Sequence, residues 1–404
     1  MNKIALKGVR IADFSIAWAG AHIGTLLSFF GAEVIKIETR LWPDHTRRLS
    51  ITSGETFEDL DRSKAFSYIN LNKLSITLDL STEEGVALAK KIVGISDVVV
   101  ENLRFGRMES FGLNYESIRE VRPDIIYLSS SARGRCGPEK NYVGYAPSFA
   151  ALGGLSYITG YEEGPPSQLL GEIDSISAVT SAFAILAALY HRKLTGEGQY
   201  IDLSSSDVVS VLMGDVFMDY AMNERAQGPK GNKDEHMAPH NCYRCKGEDK
   251  WISIAISNDD EWKSFCRVLE NPKWCMNDKF SNEKNRLGNR KELDRLIEEW
   301  TSNYTHYEIM EKLQKVDVPA APSLNSEELY HDPHLKERSL FKEIEHPLIG
   351  NQTVVEPPWR LSDTPPKINR HGPLLGEHNE YVFGKLLGLP DKEINRLIEK
   401  KVIF

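Results

Sequence analysis

The 404 residues predict an α/β protein with a large domain around a parallel sheet and a smaller α+β domain. Three features carry that expectation. Short apolar runs alternate with helix-period segments from Val9 to Ser204; a stretch rich in charge, Gly and Pro, "NERAQGPKGNKDEHMAPHN", interrupts the alternation at Asn223–Asn241; and the segments beyond it change in kind.

Taken in order, "GVRIADFS" is a buried strand, "GAHIGTLLSFFG" a helix and "AEVIKIE", ending at Glu38, a second strand. Together they make a βαβ unit of Rossmann-like type. A dinucleotide fingerprint would put GxGxxG in the first turn, whereas "SIAWAGAH" has one usable glycine, Gly20, beside the bulky Trp18. This argues against NAD and leaves an adenine nucleotide held another way. "SITLDL", "DVVVENL", "DIIYLSSS" and "QYIDLS" read as further strands, separated by the helices "TEEGVALAKKIV" and "YESIREV" and by a long helix opened by "GEID". Right-handed crossovers turn this alternation into one parallel sheet with helices on both faces. Beyond the linker come a hairpin around "YRCKGEDKWISIAI" and the helices "DDEWKSFCRVLE" and "NRKELDRLIEEWTSN", a small α+β module. Prolines from Pro319 to Pro373 then exclude long regular elements, before a final amphipathic helix, "DKEINRLIEKKVI". The expected boundaries are 1–222 for the N-terminal part of the large domain, 223–241 for a linker, 242–325 for the small domain and 326–404 for the remainder.

A net charge of -9 and a pI near 5.8 argue against nucleic acid or an anionic membrane as the main partner, while allowing a local basic pocket. The opening "MNKIALKGVRIADF" lacks the apolar core and cleavage pattern of a signal peptide, so a cytoplasmic location is expected. Ser175, Ser177, Thr180 and Ser181 interrupt the apolar run of the long helix, which therefore reads as a buried helix rather than a membrane span. Of the five cysteines, Cys136, Cys242, Cys245, Cys266 and Cys275, two form the CxxC of "NCYRC", with His240 two residues ahead. No second pair follows to complete a structural zinc site, and the motif lies in a hairpin rather than a redox strand-to-helix turn, so no metal is expected.

The long helix poses the functional question. In "GEIDSISAVTSAFAILAALYHRKLTGEGQ", Asp174 stands before a run without another charge until His191-Arg192-Lys193. One reading is an N-cap, whose carboxylate accepts unpaired N–H groups at the positive end of the helix. The other is a nucleophile held and aimed by those same groups.

The chain resembles the family III CoA-transferases. The likeness lies in the order and spacing of "GAEVIKIE" (31–38), "INLNKLSITLDL" (69–80), "VVVENL" (98–103), "ILAALYHRKLTGEGQYIDLS" (185–204) and "GPLLGEHNEY" (372–381). In that family the nucleophile is an aspartate at the start of the helix that leads into the TGxGQ turn. Counting back from "TGEGQ" places Asp174 on it, as cap and nucleophile at once. The resemblance further implies that the C-terminal segment returns to the large domain and that two subunits interlock as a dimer.

Residues expected to contact CoA follow from the same resemblance. The first βα turn gives Trp18 and Ala19, the region after "IKIE" gives Thr39 and the adjacent Arg40, the "NxNK" segment Asn70, Asn72 and Lys73, and the "ENF" segment Asn102 and Leu103. Tyr145 matches the loop that approaches the pantetheine arm. A family arginine after "ENF" is Ser110 here, with Arg104 and Arg107 as substitutes for phosphate pairing. An acidic residue after the tyrosine is Ala146, and a glycine after the nucleophile is Ala178. These departures bear on the acyl pocket rather than on the reaction type.

The implied activity moves CoA from an acyl-CoA donor to a carboxylic acid through an aspartyl-CoA thioester, with CoA as substrate and no tightly bound cofactor. The stretch "GRCGPEKNYVGYAPSFAALGGLSYITGYEEGPP" is similar to the benzylsuccinate CoA-transferase subgroup, which implies a succinyl-CoA donor and an aromatic or branched acceptor. Two alternatives remain at this point. One is an acyl-CoA racemase of the same superfamily, which would need a histidine in the loop that here reads "VGYAPSF"; the other is one subunit of a heteromeric transferase. Water must be kept from the intermediate, and the segment near "APHNCY" is the candidate lid.

Overall fold

The computed structural model describes residues 4–49, 59–169 and 171–404. The chain opens with β1 (Arg10–Asp13), α1 (Ala17–Phe29) and β2 (Glu33–Glu38), followed by α2 (Lys64–Ile69), β3 (Leu74–Thr77) and α3 (Glu83–Gly94). Then come β4 (Val98–Glu101), the short α4 (Arg107–Ser110) and α5 (Tyr115–Arg119), β5 (Ile126–Ser131), α6 (Ala146–Leu152) and α7 (Leu155–Ile158). The long α8 (Gly171–Thr195), β6 (Tyr200–Ser204), α9 (Ser205–Val211) and α10 (Gly214–Asn223) complete this part.

All pairs in the resulting six-stranded sheet are parallel, in the order β3-β2-β1-β4-β5-β6. The order runs outward in both directions from β1, so a crevice opens beyond the carboxyl ends of β1 and β4, where the two halves diverge. Alternate residues of each strand serve opposite faces. Ala12 and Val99 join Ile92, Leu88 and Phe383 on one side, while Ile11, Val98 and Val100 join Ile23 of α1 and Ile185 of α8 on the other. Burial on both faces explains why the strands read as near-continuous apolar runs.

The second unit contributes an antiparallel sheet, in the order β7-β8-β9, from β7 (His240–Arg244), β8 (Trp251–Ala255) and β9 (Ala320–Pro322). Between β8 and β9 lie α11 (Asp259–Val268), α12 (Glu283–Gly288), α13 (Arg290–Thr301) and α14 (His306–Gln314), which pack Trp262, Phe265, Ile297 and Leu313 into a core of their own. Two short helices follow, α15 (Ser326–His331) and α16 (Pro333–Glu337). The hairpin of β10 (Phe341–His346) and β11 (Gly350–Val355) was not anticipated in the proline-rich stretch. The chain closes on α17 (Asp391–Glu399).

Compactness divides the chain into Met1–Ser156, Gln168–Ala226 and Glu337–Phe404 on one side and Tyr157–Ser167 with Gln227–Lys336 on the other. The segment expected to be a linker, 223–241, thus lies largely within the second unit. Arg286 donates to Ala238 O at 2.9 Å, and His240 Nδ1 lies 2.7 Å from Asn232 O. The lid expected near "APHNCY" is corrected for the same reason: Ala238 is fully buried and His240–Arg244 is a sheet strand paired with β8, not a free loop.

The returning segment is fastened to the first unit by named contacts. Asn72, at φ 67, accepts from Asn369 N and Arg370 N and donates to Lys367 O. Thr77 Oγ1 donates to Phe404 O, and Asn379 Oδ1 accepts from Thr77 N. Val402 and Ile403 fill the core beneath β3.

Candidate functional site

The crevice beyond β1 and β4 is a cleft of about 580 Å³. One wall is the turn Ser15–Ala17, whose backbone is held by side chains up to Ala17 N. Ser15 N donates to Asp13 and Ser15 O accepts from Lys36 Nζ at 2.8 Å. Asn102 Oδ1 accepts from Ile16 N and Asn102 Nδ2 donates to Ile16 O, both at 2.8 Å. Ala17 N reaches both oxygens of Asp44 at 3.2 Å. Gly20 is obligatory beneath this arrangement, since a Cβ there would lie 2.5 Å from the Asn102 amide carbon.

Buried charge stands behind the turn. Lys36 and Asp44 form an ion pair at 3.1 Å, and Lys73 and Asp13 another at 2.7 Å, with no side-chain exposure in any of the four. Burial by itself would push the Asp44 carboxyl up, but Lys36 and the Thr46 donors outweigh it and hold it down at about 2. Burial likewise pulls on the Lys36 ammonium, yet Asp44, Glu38 and Asp13 keep it raised. For Lys73 burial wins over the attraction of Asp13, and its ammonium falls to about 8.

The next wall is the turn after β4. Glu101 accepts from Leu103 N at 2.8 Å and from Arg135 Nη2 at 2.8 and 3.1 Å, and Arg135 Nη2 also donates to Leu103 O. Burial raises the Glu101 carboxyl against the opposing pull of Arg135 and Ser129. Beyond this clasp the cleft changes character. Arg104 and Lys140 are exposed cations without a carboxylate partner among the described residues; Lys140 Nζ sits 5.1 Å from the centre of the Phe105 ring. Tyr145 is 75% exposed, immediately before α6.

Asp174 faces this open side. It is the fourth residue of α8, within the first turn rather than at the N-cap, so the cap expectation is corrected. The helix starts earlier because Ile173, 1% exposed, is drawn into a cluster with Ala146, Phe149 and Val209. Burial raises the Asp174 carboxyl to about 6, with no cation offsetting it. A carboxylate so destabilised is more basic than an ordinary one, still mostly ionised at neutral pH, and available for attack.

Of the expected site residues, the cleft gathers Ala19, Asn102, Leu103, Arg104, Tyr145 and Asp174. Arg107 lines an adjoining, more apolar cavity of about 270 Å³ with Thr39, Leu41, Trp42 and Phe111, its guanidinium 4.4 Å from the Phe111 ring. Trp18 is half-buried, its ring 6.3 Å from that of Tyr68, and Arg40 is exposed on the turn after β2. Three more expected contacts lie off the cleft lining because the fold itself uses them. Asn70 is fully buried and donates to Phe66 O, Asn72 clamps the returning segment, and the Lys73 ammonium is spent on Asp13 and Ala21 O. The Lys73 side chain has no exposed surface, so it cannot meet a phosphate in the cleft.

Sequence reasoning passed over His45, Arg135, Lys140 and Ser205, all on the cleft wall. The signal for two of them was present. "ARGRCGPEK" follows a strand end, with Gly134 and Gly137 at φ 78 and 85, the turn chemistry that brings a loop back over a sheet edge.

The chain is similar to known proteins over nearly its whole length. A family model described as CoA-transferase family III matches residues 6–379. The succinyl-CoA–L-malate CoA-transferase alpha subunit of Chloroflexus aurantiacus is 31% identical over 406 residues, spanning 100% of this chain and 93% of that protein. The succinyl-CoA–D-citramalate CoA-transferase of the same species is 32% identical, spanning 98% of each. A CAIB/BAIF family protein from Brucella suis superposes with a TM-score of 0.85 at 28% identity, over 96% of this chain and 100% of that one.

Proposed function

Since the chain belongs to CoA-transferase family III and is a CoA-transferase, we propose that Asp174 is its nucleophile and that succinyl-CoA and a small carboxylic acid are its substrates. The observation that carries this reading is a carboxylate, raised to about 6 by burial alone, in the same cleft as the Leu103 turn and Tyr145.

The chemistry balances without an external energy source. The Asp174 carboxylate attacks the thioester carbonyl, and collapse of the tetrahedral intermediate expels CoA thiolate and leaves a mixed anhydride. The thiolate attacks the aspartyl carbonyl, freeing the first acid as its carboxylate and leaving an aspartyl-CoA thioester. The acceptor carboxylate repeats both steps in reverse, departing as its own CoA ester with Asp174 restored. Each oxyanion needs hydrogen-bond donors, worth ~3–4 kcal/mol apiece. Asp44 takes Ala17 N, and the N–H groups of Trp18 and Ala19 that follow at the start of α1 suit the diphosphate. The apolar cavity with Trp42 and Phe111 suits the adenine. The unpaired Arg104 and Lys140 suit phosphate or a second carboxylate on the acyl group. That last feature agrees with the names of the relatives, whose acids, succinate, malate and citramalate, carry two carboxylates.

A second copy or a homologous subunit completes the proposal, interlocked as the resemblance implies, in a cytoplasmic enzyme. α8 is long and apolar enough to cross a membrane by length and composition, and its buried face packs with α1 on the sheet. Its other face exposes Val179, Phe183, Leu186, Tyr190 and Leu194 at helical spacing, and α10 exposes Phe217, Met218 and Met222. Exposed apolar surface of this kind is what an obligate partner covers. Light scattering that finds a monomer at micromolar concentration would dispose of this part.

The test of the reaction is to incubate the protein with succinyl-CoA, reduce with borohydride and map peptides. Modification is expected at Asp174. His45 on the cleft wall gives the racemase reading a histidine after all, from outside the loop where one was sought. Wash-in of deuterium at the substrate α-carbon with no adduct would favour that reading instead.

A further inference from the structure

We infer that the buried Lys36–Asp44 pair is a positioning device for CoA binding, holding the Ser15–Ala17 turn in the conformation that opens the start of α1 to the cleft. The inference rests on the reading of the cleft as a CoA site.

Ala17 carries the argument. As the first residue of α1 it should take ordinary helical angles, yet it stands at φ 60, a region costly for any residue with a Cβ. Such a conformation persists only where the surroundings impose it. Here they do so through Asp44, whose two oxygens both lie 3.2 Å from Ala17 N, while Lys36 grips the preceding carbonyl of Ser15. Asp44 also accepts from Thr46 N and Thr46 Oγ1, which fixes the turn His45–Arg48 and brings His45 to the cleft wall. One carboxylate therefore sets two sides of the cleft. A buried ion pair adds little net stability over an apolar pair of similar size, so stability alone does not account for it. What an apolar pair cannot supply is an acceptor for Ala17 N.

The experiment replaces both charges together, Lys36→Met with Asp44→Leu, so that neither is left buried alone. Melting temperature, the CoA dissociation constant and hydrogen exchange at Ala17–Ala19 without ligand are then measured. CoA should bind at least tenfold more weakly and the Ala17 amide exchange at least tenfold faster, with melting close to that of the parent. Adding Ala17→Gly, which takes positive φ without strain, should recover at least threefold of the lost affinity. A separate variant leaves the pair intact: Ala17→Pro removes the donor and fixes φ near −65°, at a helix position where proline is normally accepted. It should also cost at least tenfold in CoA affinity. Parental CoA affinity in either folded variant, or unchanged exchange at Ala17, overturns the inference. If the parent protein does not bind CoA, the transferase reading fails, and the exchange measurement still decides the role of the pair.

Discussion

The two sides of the cleft are built on opposite principles. On the β1 side every polar atom of the Ser15–Ile16 backbone, and Ala17 N, has a side-chain partner, and the charges behind them are buried and paired. On the Asp174 side the carboxylate has no hydrogen bond among the described residues, and Arg104, Lys140 and Tyr145 stand exposed. A surface that must recognise a constant group can be finished in advance, with its ordering cost met during folding. A surface that must react, and accept more than one acid, keeps its polar groups unsatisfied until substrate arrives.

This contrast predicts what each class of substitution will change. The largest effect belongs to Asp174→Ala, expected to lower transfer at least ~1,000-fold while CoA affinity stays within about twofold. Because burial raises this carboxyl, folding works against its ionisation, so Asp174→Asn should melt no lower than the parent at pH 7.5. Calorimetry together with an exchange assay checks both. On the finished side, Lys73→Met leaves Asp13 without its ammonium and should cost ~3–5 kcal/mol of stability, seen as a lower denaturation midpoint. A normal midpoint would place Lys73 outside the buried network.

Arg104→Ala and Lys140→Ala should do the reverse, leaving melting unchanged and weakening acyl-CoA binding about tenfold to a hundredfold, less so at high salt. Arg40→Ala, exposed and off the cleft lining, should do almost nothing. The pH dependence is graded rather than all-or-none. With Asp174 half-protonated near pH 6, adduct formation should halve there and fall about tenfold for each further pH unit, whereas a flat profile from pH 5 to 8 would remove Asp174 as the titrating nucleophile.

How far the sequence reached differs across the same contrast. The β4 run "VVVE" and the alternation around it were legible because a strand buried on both faces has few other ways to read. The β10–β11 hairpin was not, since the six residues of "FKEIEH" carry three charges, only His346 among them is buried, and the run gives no apolar signal. Asp174 was singled out by resemblance; local pattern alone suggested a cap and missed the pull of Ile173 into the core. The role of Asn72 and the burial of Lys73 were beyond local reading, because their partners lie far off in the chain: 60 residues for Asp13 and 297 for Asn369.

The fastening of the C-terminal segment has a consequence for how the protein is made. Thr77 and Phe404 are 327 positions apart, and the core under β3 takes Val402 and Ile403 from beyond the whole of the second unit. During vectorial synthesis the second unit has therefore emerged before the first can close, and the edge of the central sheet waits uncovered in the meantime. Contacts of such long range slow folding and expose unpaired strands to neighbouring chains. Of the two units, the one that carries the cleft is the one whose closure waits for the last residues of the chain.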